Sequence, residues 1–577
     1  MKKSYLFLLP IVLMLTILFC QNNTNEATKA YTNSLDSADF SVALLDAVNA
    51  TSDSASLSFL NQVYMPKAYS SFWFKNASPI NRRVNLLDSF LQKAPEHGLT
   101  AERFDAQKIR TLLAKTDTTN IDYKQLAQLE ILLTRSYFKY CSCLQYGCYN
   151  PVKLYPNDYF IAMQQPDSAF IRRIFSNSDS LAYYLRSVQP VSQEYKNLQA
   201  ELFKLKKLSD STFKPIPLMP DKEQIKFNKK HPSIPLIARR LMLSGELPFH
   251  AKWDSVYTRF DDRILKALNL FRAKNNLIQD NEIGNQTINA LNTDFKTRYK
   301  IVAINLERSR WKPEKLITNK FAHVNVADMT LRAMRGDTLV HSMRVCVGKP
   351  PKHKTPMLYG KMYEVVLNPT WTVPSSIIVN EISRRMTYDP GYLSRNNMKV
   401  YKNREEVSAY SVPWGSISKS YQPYVIVQDA GPGNSLGRIK FNFSNPFNVY
   451  LHDTNAKSVF QQHYRAVSHG CVRVEKPLEL AFFCMNDIDS TNKKQVSKRT
   501  ILKDQILYSI GREPLTRAGR EYVDSVARGK KLSRVELNPG VAVLLDYKTC
   551  FTGVKGDVQY CNDHYKMDSL LISKLRP

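Results

Sequence analysis

Acidic residues are in short supply. Against 81 Lys and Arg the 577-residue chain sets only 51 Asp and Glu, a formal net charge of +30. Such a surplus draws a protein toward anionic surroundings: lipid headgroups, acidic polymers or nucleic acid. The marks of nucleic-acid recognition are missing, however. There is no Arg-Gly-rich or lysine-run tail, no zinc-finger spacing and no RNA-binding aromatic signature, and the basic residues are scattered as on a solvated surface. Nucleic acid is therefore not expected as a partner. Paired CxxC spacing is also lacking. Cys141, Cys143 and Cys148 crowd into "YCSCLQYGCYN" with no histidine nearby, which does not make a zinc site. Long hydrophobic runs are absent too: the only candidate extends from Tyr5 to Phe19, broken by Pro10 and Thr16, and is shorter than the roughly 20 residues a membrane-spanning helix needs.

That short run has a different use. "MKKSYLFLLPIVLMLTILFC" sets two lysines before an apolar stretch and is followed by polar "QNNTNEATKA", the layout of a secretory signal. Its end at Cys20 resembles a bacterial lipoprotein signal, although Phe19 is bulkier than the residue usual before the lipidated cysteine. Lipid on Cys20, plain cleavage and an uncleaved anchor all stay open, and each places the body of the protein outside the cytoplasm, in the periplasm or cell envelope. In an exported protein, Cys550 and Cys561, which flank the hairpin-like "FTGVKGDVQY", are candidates for a disulfide that a chain of this size does not require.

The length exceeds one ordinary core, and 43% hydrophobic and 11% aromatic residues suffice to fill several. After a signal over residues 1–20 and a tether over 21–40, residues 41–250 read as a helical scaffold; in "YKQLAQLEILLTRSYFKY" apolar residues recur every three or four positions. Residues 251–297 form a small helical module. Asp261 or Asp262 can cap a helix whose Ile264, Leu268 and Phe271 share a face, Gly284 permits a turn, and Ile288 and Leu291 suit a second helix. "LFRAKNNLIQDNEIGNQTINALN" is similar to the peptidoglycan-binding module of cell-wall enzymes.

From Phe321 the texture becomes strand-like. "TLVHSMRVCVG" alternates, with Leu339, His341, Met343, Val345 and Val347 on one face, and "YEVVLNPTWTVP" and "FNVYLHDT" read as further strands. A mainly β domain is expected over 298–500, interrupted at 375–427 by an insert of the kind that caps a cleft, and completed by 501–577. The fold class is multidomain α+β.

The chemistry centres on "AVSHGCVRV", residues 466–474. A thiol needs a base or a positive environment to act as a nucleophile near neutral pH. His469 lies two residues before Cys471; His452 lies nineteen before it, at the end of a strand on which Tyr450 and His452 share one face. Geometry favours His452 as the base. Gly470 allows close backbone approach, amides around Gly470 and Cys471 can face an oxyanion, and Arg473 can pair with a substrate carboxylate.

"HDTNAKSVFQQHYRAVSHGCVRV" resembles the signature of the YkuD-type L,D-transpeptidases, with His452, Ser468, His469, Gly470, Cys471 and Arg473 falling on it; "LNPTWTVPSSI", "GPGNSLGRIKFNF" and "VAVLLDYKTCFTGVKGDVQYCNDHY" resemble the large multidomain subclass. The resemblance implies Cys471 as nucleophile, His452 as general base and acid, and a backbone carbonyl, that of Asp453, as orienting group. It also implies a cleft lined by Trp371 and Tyr450, with Asn434, on a nearby loop with Gly437, and Ser468, His469 and Arg473 at the substrate. The implied activity joins two peptidoglycan stem peptides, donor and acceptor, with no metal or organic cofactor. Delivery of the acyl group to water or to a protein lysine, and a non-catalytic wall-binding scaffold, stand as alternatives.

Overall fold

The computed structural model describes residues 37–575 apart from 75–80, 117–121, 222, 316–317, 486, 488–490 and 526–529. The expected signal and Cys20 lie outside the described residues. Among those described, no helix is long and apolar enough to cross a membrane. The described residues divide into two compact units, one of residues 37–148 and 165–191, the other of 149–164 and 192–575.

The first unit is helical and built on the 24-residue helix Tyr123–Tyr146, N-capped by the Asp122 carboxylate. The repeat of Leu126, Leu129, Leu133, Tyr137, Tyr140 and Leu144 buries one stripe of it. Glu130 is buried on the same helix and tolerated because its carboxylate accepts hydrogen bonds from the Ser71 hydroxyl and the Phe72 amide, both at 2.7 Å, and from the Tyr64 hydroxyl at 3.1 Å. Cys141 and Cys143 are buried free thiols in this core.

The second unit begins with a small helical core in which Ile264, Leu268, Phe271, Ile288 and Leu291 pack together, Asp261 supplying the helix cap. This core also takes in Ile216, Ile225 and the helix Ile234–Ser244. A boundary at 251 therefore cuts through it, because an apolar stripe in a sequence does not say which neighbour covers it. After the helix Phe295–Arg310 come eight strands that close on themselves. In spatial order they are Thr338–Gly348, Val472–Val474, Leu451–His452, Ile439–Phe443, Leu358–Leu367, Arg534–Asp546, Lys320–Asn325 and Thr330–Arg335, the last pairing back to the first. A ninth, Ala466–Ser468, pairs parallel to the end of Thr338–Gly348. Strand Arg534–Asp546, from the C-terminal segment, fills the gap between Leu358–Leu367 and Lys320–Asn325. In Thr338–Gly348 the alternation of buried Met343 and Val345 gives way to burial on both faces from Val345 onward, where the strand passes into the barrel.

The insert is a body of its own. Its sheet runs Trp371–Thr372, Tyr424–Gln428, Met398–Lys402, Glu405–Val407, so it reaches a few residues past 375–427 at its N-terminal side. A helical stretch over 375–388, with a π-helical turn at Ile378–Ile382, packs Ile377, Ile378, Ile382 and Met386 against Val400, Trp414 and Ile426. In the C-terminal hairpin Cys550 is paired with Tyr560, and both face the core around Leu198 and Leu202. Cys561 is one position on and so points to the opposite face; both cysteines are free thiols.

Candidate active site

Two short parallel strands place the chemistry. Leu451 pairs with Val472 and His452 with Arg473. Because side chains alternate, Leu451 and Val472 are buried in the barrel while Tyr450, His452, Cys471 and Arg473 share the other face. A one-residue slip would turn Leu451 and Val472 out at about 1.5–3 kcal/mol each and push His452 into the apolar interior. The same face opens on a cleft of about 1040 Å³, walled on one side by Tyr450, His452, His469, Gly470, Cys471 and Arg473 and on the other by Trp371 and the helical stretch of the insert.

His452 is buried, and its Nδ1 lies 2.5 Å from the carbonyl oxygen of Asp453. A carbonyl can only accept, so Nδ1 carries the proton and Nε2 keeps a lone pair. The Asp453 carboxylate points elsewhere, accepting from the amides of Arg438 at 2.9 Å and Thr454 at 2.7 Å and pairing with Lys457. Gly437 makes room for it: at φ +62° it adopts a left-handed conformation, and a Cβ there would collide with the carboxylate.

Burial, reinforced by the charges of Arg473 and Lys440, pushes His452 down to about 3 despite its bond to Asp453. Burial likewise raises the Cys471 thiol, against the opposing pull of Tyr450, Lys440 and Arg473. The resting pair is therefore neutral thiol and neutral imidazole. The thiol lies 3.8 Å from the carbonyl of Asn448, toward which it donates. The Tyr450 ring stands edge-on to His452 at 5.5 Å, and burial, with the neighbouring Cys471, keeps its phenol protonated.

The loop before the thiol is braced from three sides. Ser468 Oγ donates to the carbonyl of Cys471 at 2.6 Å and accepts from the Gly470 amide at 3.2 Å. Gly470 sits at φ +117°, a conformation that disfavours any side chain. Its amide being committed to Ser468, the Cys471 amide is the candidate oxyanion donor. The Gly470 carbonyl accepts from Thr355 Oγ1 at 2.8 Å, which in turn accepts from the Gly348 amide at 2.8 Å. Tyr565, from the C-terminal segment, accepts from the Thr355 amide and donates to the Gly348 carbonyl.

The remaining expected residues divide. Arg473 faces the cleft, and its buried Nε has no partner among the described residues. His469 bonds Glu381 on the π-helical turn of the insert and lies 4.8 Å, ring to ring, from His353. Asn434, expected at the substrate, is buried instead: its side chain donates to the carbonyls of Gln428 and Asp429 and accepts from the Leu436 amide, so it staples its own loop while Ser435 and Leu436 form the wall. Contributors that went unread in the sequence are Thr355, Glu381, Lys440 and Tyr565. Lys440 pairs with His452 across the neighbouring strand and sets its ammonium 4.1 Å from the Tyr450 ring, so Lys440, His452 and Arg473 stand in one row over three strands. The alternation of "IKFNF" puts Lys440 opposite buried Ile439 and Phe441, a signal that it faces away from the core but not toward what.

Residues 319–498 match the family model for the YkuD L,D-transpeptidase catalytic domain, and residues 58–202 that for a scaffold domain. A Haemophilus influenzae protein provisionally named an L,D-transpeptidase is 32% identical over 232 residues, 39% of this chain and 46% of that protein, so the match spans about half the relative's length. Among solved structures, an L,D-transpeptidase from Mycobacterium smegmatis shares 17% identity over 30% of this chain and 55% of its own, with a TM-score of 0.17. One from Xylanimonas cellulosilytica shares 14% over 57% and 99%, with a TM-score of 0.15; these scores are too low to carry an argument. Residues 319–498 thus constitute a YkuD-type L,D-transpeptidase catalytic domain, and residues 58–202 a scaffold domain.

Proposed function

We propose that the protein is an exported peptidoglycan L,D-transpeptidase that forms 3→3 cross-links through a thioester on Cys471. The reading is supported above all by the neutral His452 tautomer, held by the Asp453 carbonyl with Nε2 free on the cleft face that also carries Cys471. Cys471 Sγ attacks the carbonyl carbon of the third stem residue, a diamino acid, while its proton passes to His452 Nε2. The oxyanion forms against the Cys471 amide. As the C–N bond breaks, His452 returns the proton to the leaving amine and terminal D-alanine departs, leaving the thioester. The side-chain amine of a neighbouring stem then attacks, gives a proton to His452 and expels the Cys471 thiolate, which takes that proton back from His452. The broken peptide bond supplies the acyl group, so no ATP is consumed. Arg473, with its unpaired buried Nε, suits a stem carboxylate.

The test is mass analysis of sacculus fragments after incubation with the purified protein. The proposal expects 3→3 dimers; tripeptides alone would indicate a carboxypeptidase, protein-linked fragments an anchoring ligase, and unchanged fragments a wall-binding scaffold. Cys471→Ser should abolish every product without changing the melting curve, because a lone histidine activates a hydroxyl poorly. His452→Ala should slow acylation by about 10²- to 10⁴-fold. Near-normal turnover in either variant would overturn these roles.

A further inference from the structure

The cleft is poor in negative charge. Among the described residues that line it are Arg384, Arg385 and Arg473 but a single carboxylate, that of Glu381. Glu381 stands on the π-helical turn Ile378–Ile382, a kind of turn found often at functional positions. The turn anchors Ile378 and Ile382 in the core of the insert and leaves the Glu381 side chain about half exposed.

One oxygen of that carboxylate, Oε1, is hydrogen-bonded to Nε2 of His469, two residues before Cys471, so the charge lies beside the loop that carries the nucleophile. The other oxygen, Oε2, has no hydrogen-bond partner among the described residues. Neither arginine on the same helical stretch neutralises it: Arg385 is paired with Asp389 at 3.5 Å, and Arg384 makes no ion pair among the described residues.

The two substrates of the transfer proposed above differ in charge at the groups to be recognised. The donor stem brings carboxylates, which suit the arginines. The acceptor brings an aliphatic amine whose ordinary pKa of about 10.4 makes it an ammonium at neutral pH. Arginines repel such an ion, and opposite charge in the cleft wall is what guides it to a defined place.

We infer that Glu381 is the docking group for the acceptor ammonium, Oε2 pairing with the ion beside the thioester while Oε1 stays on His469. This rests on the proposed transfer to a stem amine and names the residue that selects a cationic acceptor. The docked ammonium gives one proton to solvent, which reaches the half-exposed carboxylate, and the neutral amine left behind attacks the thioester carbonyl.

The test is Glu381→Gln in the full chain. Glutamine keeps the size and can keep the hydrogen bond to His469, so the contact between insert and loop is retained while the charge is lost. With a stem tetrapeptide as donor, two acceptors are compared at neutral pH: a stem tripeptide, whose side-chain amine is charged, and hydroxylamine, which is not. Transfer to the tripeptide at low concentration should fall about 10- to 100-fold relative to transfer to hydroxylamine, chiefly through a higher KM for the tripeptide. Because the reading is a ratio, any unfolded fraction cancels. A ratio equal to that of the wild type, whether both transfers fall or neither does, would overturn the inference alone. Hydroxamate without any 3→3 dimer from the wild type would overturn transfer to a stem amine, and the inference with it.

Discussion

Cys471 and His452 are each held in the neutral form at rest, and burial is the main cause in both. A preformed thiolate–imidazolium pair would react with iodoacetamide at a rate already level near neutral pH. Here the thiol stands above its ordinary value of 9.0, so alkylation of Cys471 should keep climbing with pH beyond 9. A plateau near neutrality would show that the pair is ionised. Lys440 lies behind Tyr450 and favours the thiolate electrostatically. Lys440→Met should slow alkylation at every pH below the plateau and move the whole profile to higher pH, whereas a purely packing role would leave the profile in place. For His452 the sign is opposite: its folded value of about 3 lies below the unfolded value near 6.5, so its contribution to stability is present above pH 6.5 and lost as pH falls toward 3.

Short elements carry the precision of the site, and two of their contacts are open to test. Thr355 joins the Gly470 carbonyl to the Gly348 amide. Thr355→Val keeps the shape and strands both groups, so stability should fall by about 1–3 kcal/mol and iodoacetamide alkylation of Cys471 should change in rate. Thr355→Ser should restore both; failure of the serine to rescue would mean the hydroxyl is not the cause. On the insert, the stretch 393–410 supplies the strand Met398–Lys402 and buried Leu393 and Val400, so excising it would unfold the cap rather than open it. A finer probe is Glu381→Ala, which cuts the contact to His469. The pair is partly exposed, at 53% for Glu381 and 35% for His469, so the melt should hardly change. If the contact keeps the cap over the thioester, water gains access and tripeptide rises relative to 3→3 dimer. An unchanged ratio with normal iodoacetamide labelling of Cys471 would remove the contact from the gating of the cleft.

At the scale of the whole molecule, the surplus of +30 should govern attachment to an anionic wall. Retention of the Cys471→Ser protein on purified sacculi should fall steeply as salt shortens the screening length from about 30 Å at 0.01 M to about 3 Å at 1 M. Salt-independent retention would point to specific contacts instead. Much of the rest was legible locally. Helical stripes, the Asp261 cap, the alternation around Tyr450 and His452 and the motif around Cys471 are all short-range patterns, readable because helix and strand periods depend on near neighbours alone. What lay beyond reach depended on pairing between distant segments. The register of Leu451 with Val472 gathers the cleft face, Tyr565 reaches Gly348 and Thr355 across more than two hundred residues, and Lys440 stands beside His452 only because their strands are neighbours. Asn434 marks the same limit from the other side: the family resemblance implied a place at the substrate, but its partners are backbone groups brought round by the turn. The sequence by itself determined which residues could do the chemistry; tertiary structure decided which of them face the cleft, because burial and charge are properties of surroundings that a linear pattern does not contain.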